Sequence, residues 1–174
     1  MKTVALAGTF DTKREELLYV KNLLEQLGLS VFTIHTGVFE AGISVDVANT
    51  EIAEAAGEDM KALAEKRDRA KATAVLASGL VKILPRLYAE QRFDGVLSFG
   101  GSGGTSLVTP AMRALPIGVP KVMVSTMASG NVAPYVGTSD IIMIPSIVDV
   151  AGLNEISRTI FRNAVLVTAG LLRL

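Results

Sequence analysis

Short apolar runs alternate along the chain with longer segments whose apolar residues recur at helical spacing. An apolar run of four to eight residues, closed by glycine or polar turn residues, is typical of a strand buried on both faces. Runs of this kind separated by helical segments predict βα units and an open, mostly parallel α/β sheet. The five predicted strands cover residues 3–7, 30–35, 93–99, 119–124 and 140–144.

The first and last helical segments carry recognisable end signals. Thr12 with Glu15 three residues later has the sequence of a capping box, which predicts the start of the first helix. Gly28 is the expected residue at the carboxyl end of that helix, because glycine readily adopts a left-handed backbone. Asn154 is a suitable cap for the helix at the end of the chain.

The middle of the chain predicts two helices of different character. Residues 58–71 are dense in charges of both signs and predict a solvated helix, from which one cation could reach a bound phosphate. Residues 72–88 are apolar nearly all round and predict a helix that is buried or at an interface. Ser78, Gly79 and Pro85 are expected to kink or divide that second helix.

The most informative stretch is the glycine-rich segment, residues 100–105, which reads Gly-Gly-Ser-Gly-Gly-Thr directly after a predicted buried strand. Glycines let a ligand approach the main chain, and free amides at a following helix start favour negative charge. The segment therefore predicts a phosphate site, and the alternative is a tight turn whose glycines serve only close packing. The next helix is expected either to start near Thr105 and kink at Pro110, or to be capped by Thr109 with Pro110 as its first residue.

The glycine-rich segment does not follow either of the two stereotyped phosphate-binding patterns. The chain has no Gly-Lys pair, so the Walker A pattern is absent, and Ser106 stands where the last glycine of G-x-G-x-x-G would be. A second small polar loop, at Ser125-Thr126, follows the fourth predicted strand. Loops at the carboxyl ends of parallel strands converge on one crevice, so the sequence predicts a ligand site there.

Composition narrows the classes of function. Seventeen basic residues balance seventeen acidic ones, which argues against nucleic acid as the main partner. The absence of cysteine and the single histidine, His35, exclude disulfides and nearly exclude a soft-metal site. His35 occupies the position where dinucleotide-binding folds carry an acid, and we expect it to cap the strand end as a neutral side chain rather than to bind a ligand.

The hydropathy of the chain bears on its partners and location. No apolar stretch is long enough without interruption to span a membrane, and the apolar run at the amino terminus is too short for a signal peptide. We therefore expect a soluble cytoplasmic protein without a membrane partner. The mean hydropathy of +0.43 is high and predicts a homodimer through the helices at 72–88 or 155–174. We also expect the 174 residues to be one domain, the N-terminal fragment of a longer multidomain protein.

Four motifs in this order are distinctive: residues 8–13 (Gly-Thr-Phe-Asp-Thr-Lys), the glycine-rich segment, residues 124–140, and residues 148–154 (Val-Asp-Val-Ala-Gly-Leu-Asn). Together they resemble the amino-terminal domain of the plant tomato mosaic virus resistance protein family and its bacterial and fungal relatives. The resemblance covers essentially the whole chain. It implies an ATP-binding, Rossmann-like three-layer sandwich with about five strands, followed in the parent protein by further domains.

The resemblance also implies which residues contact the nucleotide. The phosphates are expected on the glycine-rich segment, with further contacts from the turn after the first strand. A third contact is expected at Ser125-Thr126 rather than at Asp140. Asp11 would orient a ribose hydroxyl or hold a phosphate-bound magnesium ion through water, or else cap the first helix. The predicted nucleotide contacts are Thr9, Asp11, Thr12, Gly100, Gly101, Ser102, Gly103, Gly104, Thr105, Ser125 and Thr126.

The predicted function is therefore ATP binding, with magnesium as a possible companion. Whether ATP is hydrolysed stays open, because no lysine stands in the glycine-rich segment and no catalytic triad or carboxylate pair is visible. Two alternatives are a domain of a nicotinamide-dependent or phosphate-ligand enzyme, and a nucleotide-free protein-interaction module.

Overall fold

The computed structural model describes residues 1–173, and its centre is a sheet of five strands that all run parallel. The strands lie side by side in the order β2-β1-β3-β4-β5. Their bounds are β1 Thr3–Gly8, β2 Ser30–His35, β3 Gly95–Gly100, β4 Lys121–Ser125 and β5 Ile142–Pro145. All five strands predicted from the apolar runs are present, with ends displaced by a few residues.

Helices cover both faces of the sheet, which confirms the predicted Rossmann-like three-layer fold. The helices are α1 Arg14–Gln26, α2 Asn49–Ala55, α3 Met60–Glu65, α4 Arg69–Ala89, α5 Ser102–Arg113, α6 Ala133–Val136 and α7 Glu155–Leu172. One core joins α1 and α7 to strand residues such as Val4 and Leu6, and the other joins α2, α4 and α5 to Ala5 and Ala7. Neighbouring residues of one strand thus serve opposite cores, as the alternation of side chains requires.

The prediction of one solvated helix over residues 58–71 is wrong, because the chain forms two helices there. The side chain of Asp59 accepts a hydrogen bond from the amide of Lys61 at the start of α3. Arg67 then adopts a left-handed backbone, with φ of 52°, and ends the helical path. Asp68 accepts a bond from the Lys71 amide and starts α4.

Helix α4 is continuous from Arg69 to Ala89, so Ser78, Gly79 and Pro85 do not divide it. Gly79 lies against the carbonyl of Ile52 in α2, where a Cβ would overlap that oxygen, so its role is close helix packing. Within residues 1–173, α4 alone has the length and apolar composition to cross a membrane. Here its apolar residues form part of the core, among them Leu76, Leu80 and Leu84.

Two expected helix starts are wrong as well. No side chain caps α1: its first residue follows Lys13, and the Thr12 hydroxyl donates to Thr9 Oγ1 instead of capping the helix. Helix α5 begins at Ser102, earlier than either predicted start, and continues through Pro110. By contrast, the end signals at Gly28 (φ of 78°) and Asn154, which forms a capping box with Ser157, are confirmed.

Candidate functional site

The strand order places a crevice between β1 and β3. The chain moves from β1 to β2 on one side and then returns to add β3, β4 and β5 on the other side. Such a reversal separates the loops that leave the two central strands, and open α/β sheets bind ligands in the gap that results. A cavity of about 390 Å³ lies at this point, between the turn after β1 and the start of α5. We call it the cleft.

The α5 side of the cleft is the glycine-rich segment, which proves to be the end of a strand and the first turn of a helix. Gly100 ends β3, Gly101 precedes α5, and the helix begins at Ser102. Over residues 1–173, no protein atom accepts a hydrogen bond from the amides of Ser102, Gly103 or Gly104. The free amides and the positive end of the helix dipole therefore face the cleft.

Packing does not explain most of the glycines in this segment. A Cβ at Gly100 would lie only 3.0 Å from Gly104 Cα, so glycine is needed there for the close approach of β3 and α5. A Cβ at Gly101 or Gly104 would find its nearest neighbour at 3.7 or 3.9 Å, and one at Gly103 would find no atom within 4 Å. These three glycines keep the cleft surface free of side chains without serving the protein's own packing.

The opposite side of the cleft is the turn after β1, which hydrogen bonds hold in shape. The Thr9 carbonyl accepts from the amides of Thr12 and Lys13, at 3.2 and 2.8 Å. The Asp11 carboxylate accepts from the Thr12 amide at 3.0 Å and from the Phe39 amide at 3.2 Å, and so joins this turn to the loop after β2. Thr9, Asp11 and Thr12 all line the cleft, as do Gly101, Ser102, Gly103 and Gly104.

Four of the predicted contact residues do not line the cleft: Gly100, Thr105, Ser125 and Thr126. The Thr105 and Ser125 hydroxyls are buried and lie 2.6 Å apart. Thr105 also donates to the Gly101 carbonyl at 2.7 Å, and Ser125 accepts from the Met127 amide at 3.0 Å. These two side chains fasten the start of α5 to the end of β4, and Thr126 is exposed with its amide bonded to the Gly100 carbonyl.

The cleft also contains residues that the sequence reasoning did not single out. Two of them are cationic, Lys13 at the end of the β1 turn and Arg69 at the start of α4. Lys13 directly follows the predicted contact Thr12. Arg69 belongs to the charged segment 58–71, and the sequence does not indicate which cation of that segment would reach a phosphate. The remaining ones are Thr36, Gly37, Val38, Thr73 and Leu107.

His35 has the structural role expected of it. It is almost completely buried, and its Nδ1 accepts a hydrogen bond from the Phe10 amide at 3.1 Å. Its Nε2 lies 2.6 Å from the Phe39 carbonyl, so the proton belongs on Nε2. His35 therefore braces the loops after β1 and β2 and does not line the cleft.

The donor set of the cleft suits an anion better than a bare metal ion. In the described part of the chain, no three histidine, cysteine or acidic side chains cluster tightly enough to hold a metal. Asp11 is the one carboxylate that lines the cleft, beside two cations and three free amides. Magnesium commonly binds through one or two carboxylates together with the phosphates of a nucleotide, so Asp11 fits a metal that arrives with a phosphate ligand.

Comparison with known proteins gives one family. The family described as "Uncharacterised protein family (UPF0261) N-terminal domain" matches residues 2–174. A UPF0261 protein of Clostridium tetani is 43% identical, over 99% of this chain and 43% of its own length. Two proteins of Solanum lycopersicum also match: the ToMV susceptible protein tm-1(GCR26), 34% identical over 94% of this chain and 24% of its own length, and the ToMV resistance protein Tm-1(GCR237), 46% identical over 59% of this chain and 14% of its own length. The chain spans about two fifths of the length of its bacterial relatives.

Proposed function

The chain belongs to the UPF0261 family, whose N-terminal domain it matches, and from that premise we propose that it binds a nucleotide, with ATP as the first candidate. The phosphates lie over the first turn of α5, and the turn after β1 contacts the nucleotide from the other side. The observation that carries this proposal is the set of free amides at Ser102, Gly103 and Gly104, facing a cavity at the point where the strand order reverses.

Charge supports a phosphate ligand. Lys13 and Arg69 line the cleft together with its one carboxylate, Asp11, and the helix dipole adds positive potential at the α5 start. The Ser102 side chain is exposed at the first position of α5, where its hydroxyl is available to donate to a phosphate oxygen. The three unpacked glycines let phosphate oxygens come within hydrogen-bonding distance of the main chain.

Asp11 and magnesium belong together in this proposal. A magnesium ion bound with the nucleotide would offset phosphate charge, and Asp11 would hold it through water. The carboxylate already accepts bonds from the Thr12 and Phe39 amides, which fix its position at the cleft wall. We propose binding as the role of this domain, because its cleft offers anchors for phosphates but only Asp11, Lys13 and Arg69 as ionisable groups.

The test is isothermal titration of the protein with ATP, NADH and inorganic tripolyphosphate. We expect saturable binding of ATP and tripolyphosphate, and a loss of about five- to tenfold in both affinities for Lys13→Ala. Lys82→Ala is the matched control, because Lys82 is an exposed cation of α4 about 20 Å along the helix from Arg69. Binding of NADH alone would favour the nicotinamide alternative, and binding of none of the three would refute the proposal.

Assembly and location complete the proposal. The apolar residues of α4 are largely taken up by the core, whereas α7 leaves Leu166, Val167 and Leu171 exposed. We therefore propose that a homodimer forms through α7; the last residue of the predicted 155–174 interface, Leu174, lies outside the described residues. We further propose that the protein acts in the cytoplasm, where ATP is abundant.

A further inference from the structure

A second cavity adjoins the cleft, on the other side of the loop after β2. It has a volume of about 410 Å³, and Val38 and Arg69 line both spaces. Apolar side chains make up much of its wall: Val38 and Phe39 from the loop, and Leu63 and Ala64 from α3. We call it the apolar cavity. A ligand that fills both spaces would have one charged end and one apolar end.

Phe39 is the most unusual residue of the apolar cavity. The residue is 56% exposed and leaves apolar surface in water beside a cavity that it lines. Its backbone, however, is held from three directions. The Phe39 amide donates to Asp11, and its carbonyl accepts from His35 Nε2 and from Asn49 Nδ2 at 3.1 Å. An aromatic ring that is exposed on a fixed backbone is prepared to stack on a planar ligand without ordering a loop.

The same hydrogen bonds connect the ring to the cleft. Asp11 lines the cleft and holds the Phe39 amide, so one carboxylate fixes both the cleft wall and the position of the ring. Asn49, which is buried, also donates to the carbonyls of Gly37 and Val38. The charged residues of the apolar cavity are Arg67, Asp68 and Arg69, two cations and one carboxylate, and a guanidinium stacks well on an aromatic base.

We propose that the aromatic base of the nucleotide occupies the apolar cavity and stacks on Phe39. This inference rests on the proposed nucleotide site and names the part of the ligand that the phosphate cleft does not explain. A nucleotide has its charged phosphates at one end and a flat, weakly polar base at the other. The two adjoining spaces present their chemistry in that order, with free amides and Lys13 in the cleft and Phe39, Leu63 and Ala64 in the apolar cavity.

The first test separates the base from the phosphates by titrating Phe39→Ala with ATP and with inorganic tripolyphosphate. Removing a stacking ring should weaken ATP binding by about 5- to 100-fold and leave the tripolyphosphate affinity unchanged. Phe39→Tyr, which keeps the ring, should bind ATP like the wild type. Ile117→Ala is the control, because Ile117 is also exposed (73%) but lies before β4, at the amino ends of the strands, whereas the cleft lies at their carboxyl ends.

The outcomes distinguish this inference from the function on which it rests. If the wild type binds tripolyphosphate as tightly as ATP, or if Phe39→Ala changes both affinities equally or neither, the base does not lie on Phe39, although the phosphate site stands. If the wild type binds neither ligand, the nucleotide site itself is refuted and the base inference falls with it.

A second, spectroscopic test uses the absence of tryptophan from the sequence. Phe39→Trp introduces a single tryptophan, and stacking of a base on its indole should quench the tryptophan emission as ATP is added, with no quenching by tripolyphosphate. Ile117→Trp supplies the matched control and should not respond to either ligand. Unchanged emission of Phe39→Trp at saturating ATP would overturn the inference.

Discussion

Replacing Gly103 by alanine should make the domain more stable and its nucleotide binding weaker. Gly103 lies in the first turn of α5, has no atom within 4 Å of where its Cβ would stand, and lines the cleft. Alanine is favoured over glycine by about 0.8–1.0 kcal/mol in a helix interior and by less in a first turn, so we expect a gain of about 0.5 kcal/mol. For a chain of this size, that gain raises the melting temperature by about 1–2 °C.

The effect on binding has the opposite sign. A methyl group at Gly103 would stand where phosphate oxygens approach the amides of Ser102 to Gly104, which need donor–acceptor distances of about 2.9 Å. We expect the affinity for ATP to fall at least about tenfold, which corresponds to about 1.4 kcal/mol. The two measurements are thermal unfolding without ligand and isothermal titration with ATP.

Gly170→Ala provides the matched control for this experiment. Gly170 is also a helical glycine with no atom within 4 Å of its Cβ position, but it lies near the end of α7, away from the cleft. It should keep its ATP affinity, which makes it the control for binding; its stability is not compared, because Gly170 adjoins the proposed dimer face of α7. A stabilised Gly103→Ala that binds ATP like the wild type would refute the close approach of phosphate, and a destabilised one would show that glycine is required by the fold.

Three further predictions concern the cleft wall, the sheet and the assembly. Gly37→Ala should weaken ATP binding, as measured by titration, because its Cβ would overlap the Asp11 carboxylate; unchanged affinity would show that the position of Asp11 is unimportant. Burial raises the pKa of Asp140, but hydrogen bonds from Lys121 and the Gly118 amide outweigh burial and hold that pKa below its ordinary value of 3.8. The stabilisation from this pair is therefore complete above pH 3.8 and is lost as the pH falls through the lower folded-state pKa. Because the Asp140 side chain is 36% exposed and solvent screens the pair, Asp140→Asn should remove about 1 kcal/mol at neutral pH and flatten this acid dependence in denaturant titrations. Leu166→Glu should convert a dimer into a monomer by light scattering, and a monomeric wild type at high concentration would contradict the α7 interface.

The edge strand β5 is partly exposed, but the central strands β1, β3 and β4 could be predicted from the sequence because they are buried on both faces. Such strands are continuous apolar runs that end at glycine or polar residues, a signal that does not depend on what packs above them. Helix boundaries were harder to predict in the middle of the chain. The break at Arg67 comes from a left-handed backbone at a non-glycine residue, and Gly79 serves a close contact with Ile52 of α2 instead of ending α4. Neither cause is visible in local sequence.

The candidate site was predictable as a region but not in its side chains. The order of strands and glycines indicates where amides face a crevice, because that depends on the backbone. The hydrogen-bond partner of a hydroxyl depends on its neighbours in space. Thr105 and Ser125 are 20 residues apart in sequence, yet their hydroxyls form a hydrogen bond with each other inside the protein. Likewise, Arg69 reaches the cleft only because α4 starts beside it, and the sequence spacing carries no trace of that placement.

If the proposed phosphate site is correct, the glycines at 101, 103 and 104 connect stability with binding in this domain. Glycine at the start of a helix increases the conformational entropy of the unfolded chain, which folding must overcome. The first amides of α5 also have no capping side chain, unlike those of α7, which Asn154 caps. Within the described residues, no protein group accepts hydrogen bonds from the amides of Ser102, Gly103 and Gly104. A phosphate bound there would supply the missing acceptors, so added ATP should raise the melting temperature in proportion to the logarithm of its concentration once the site is saturated. Gly103→Ala should shrink that ligand-dependent rise while it raises the ligand-free melting temperature, a combination that a purely structural role for the glycines does not produce.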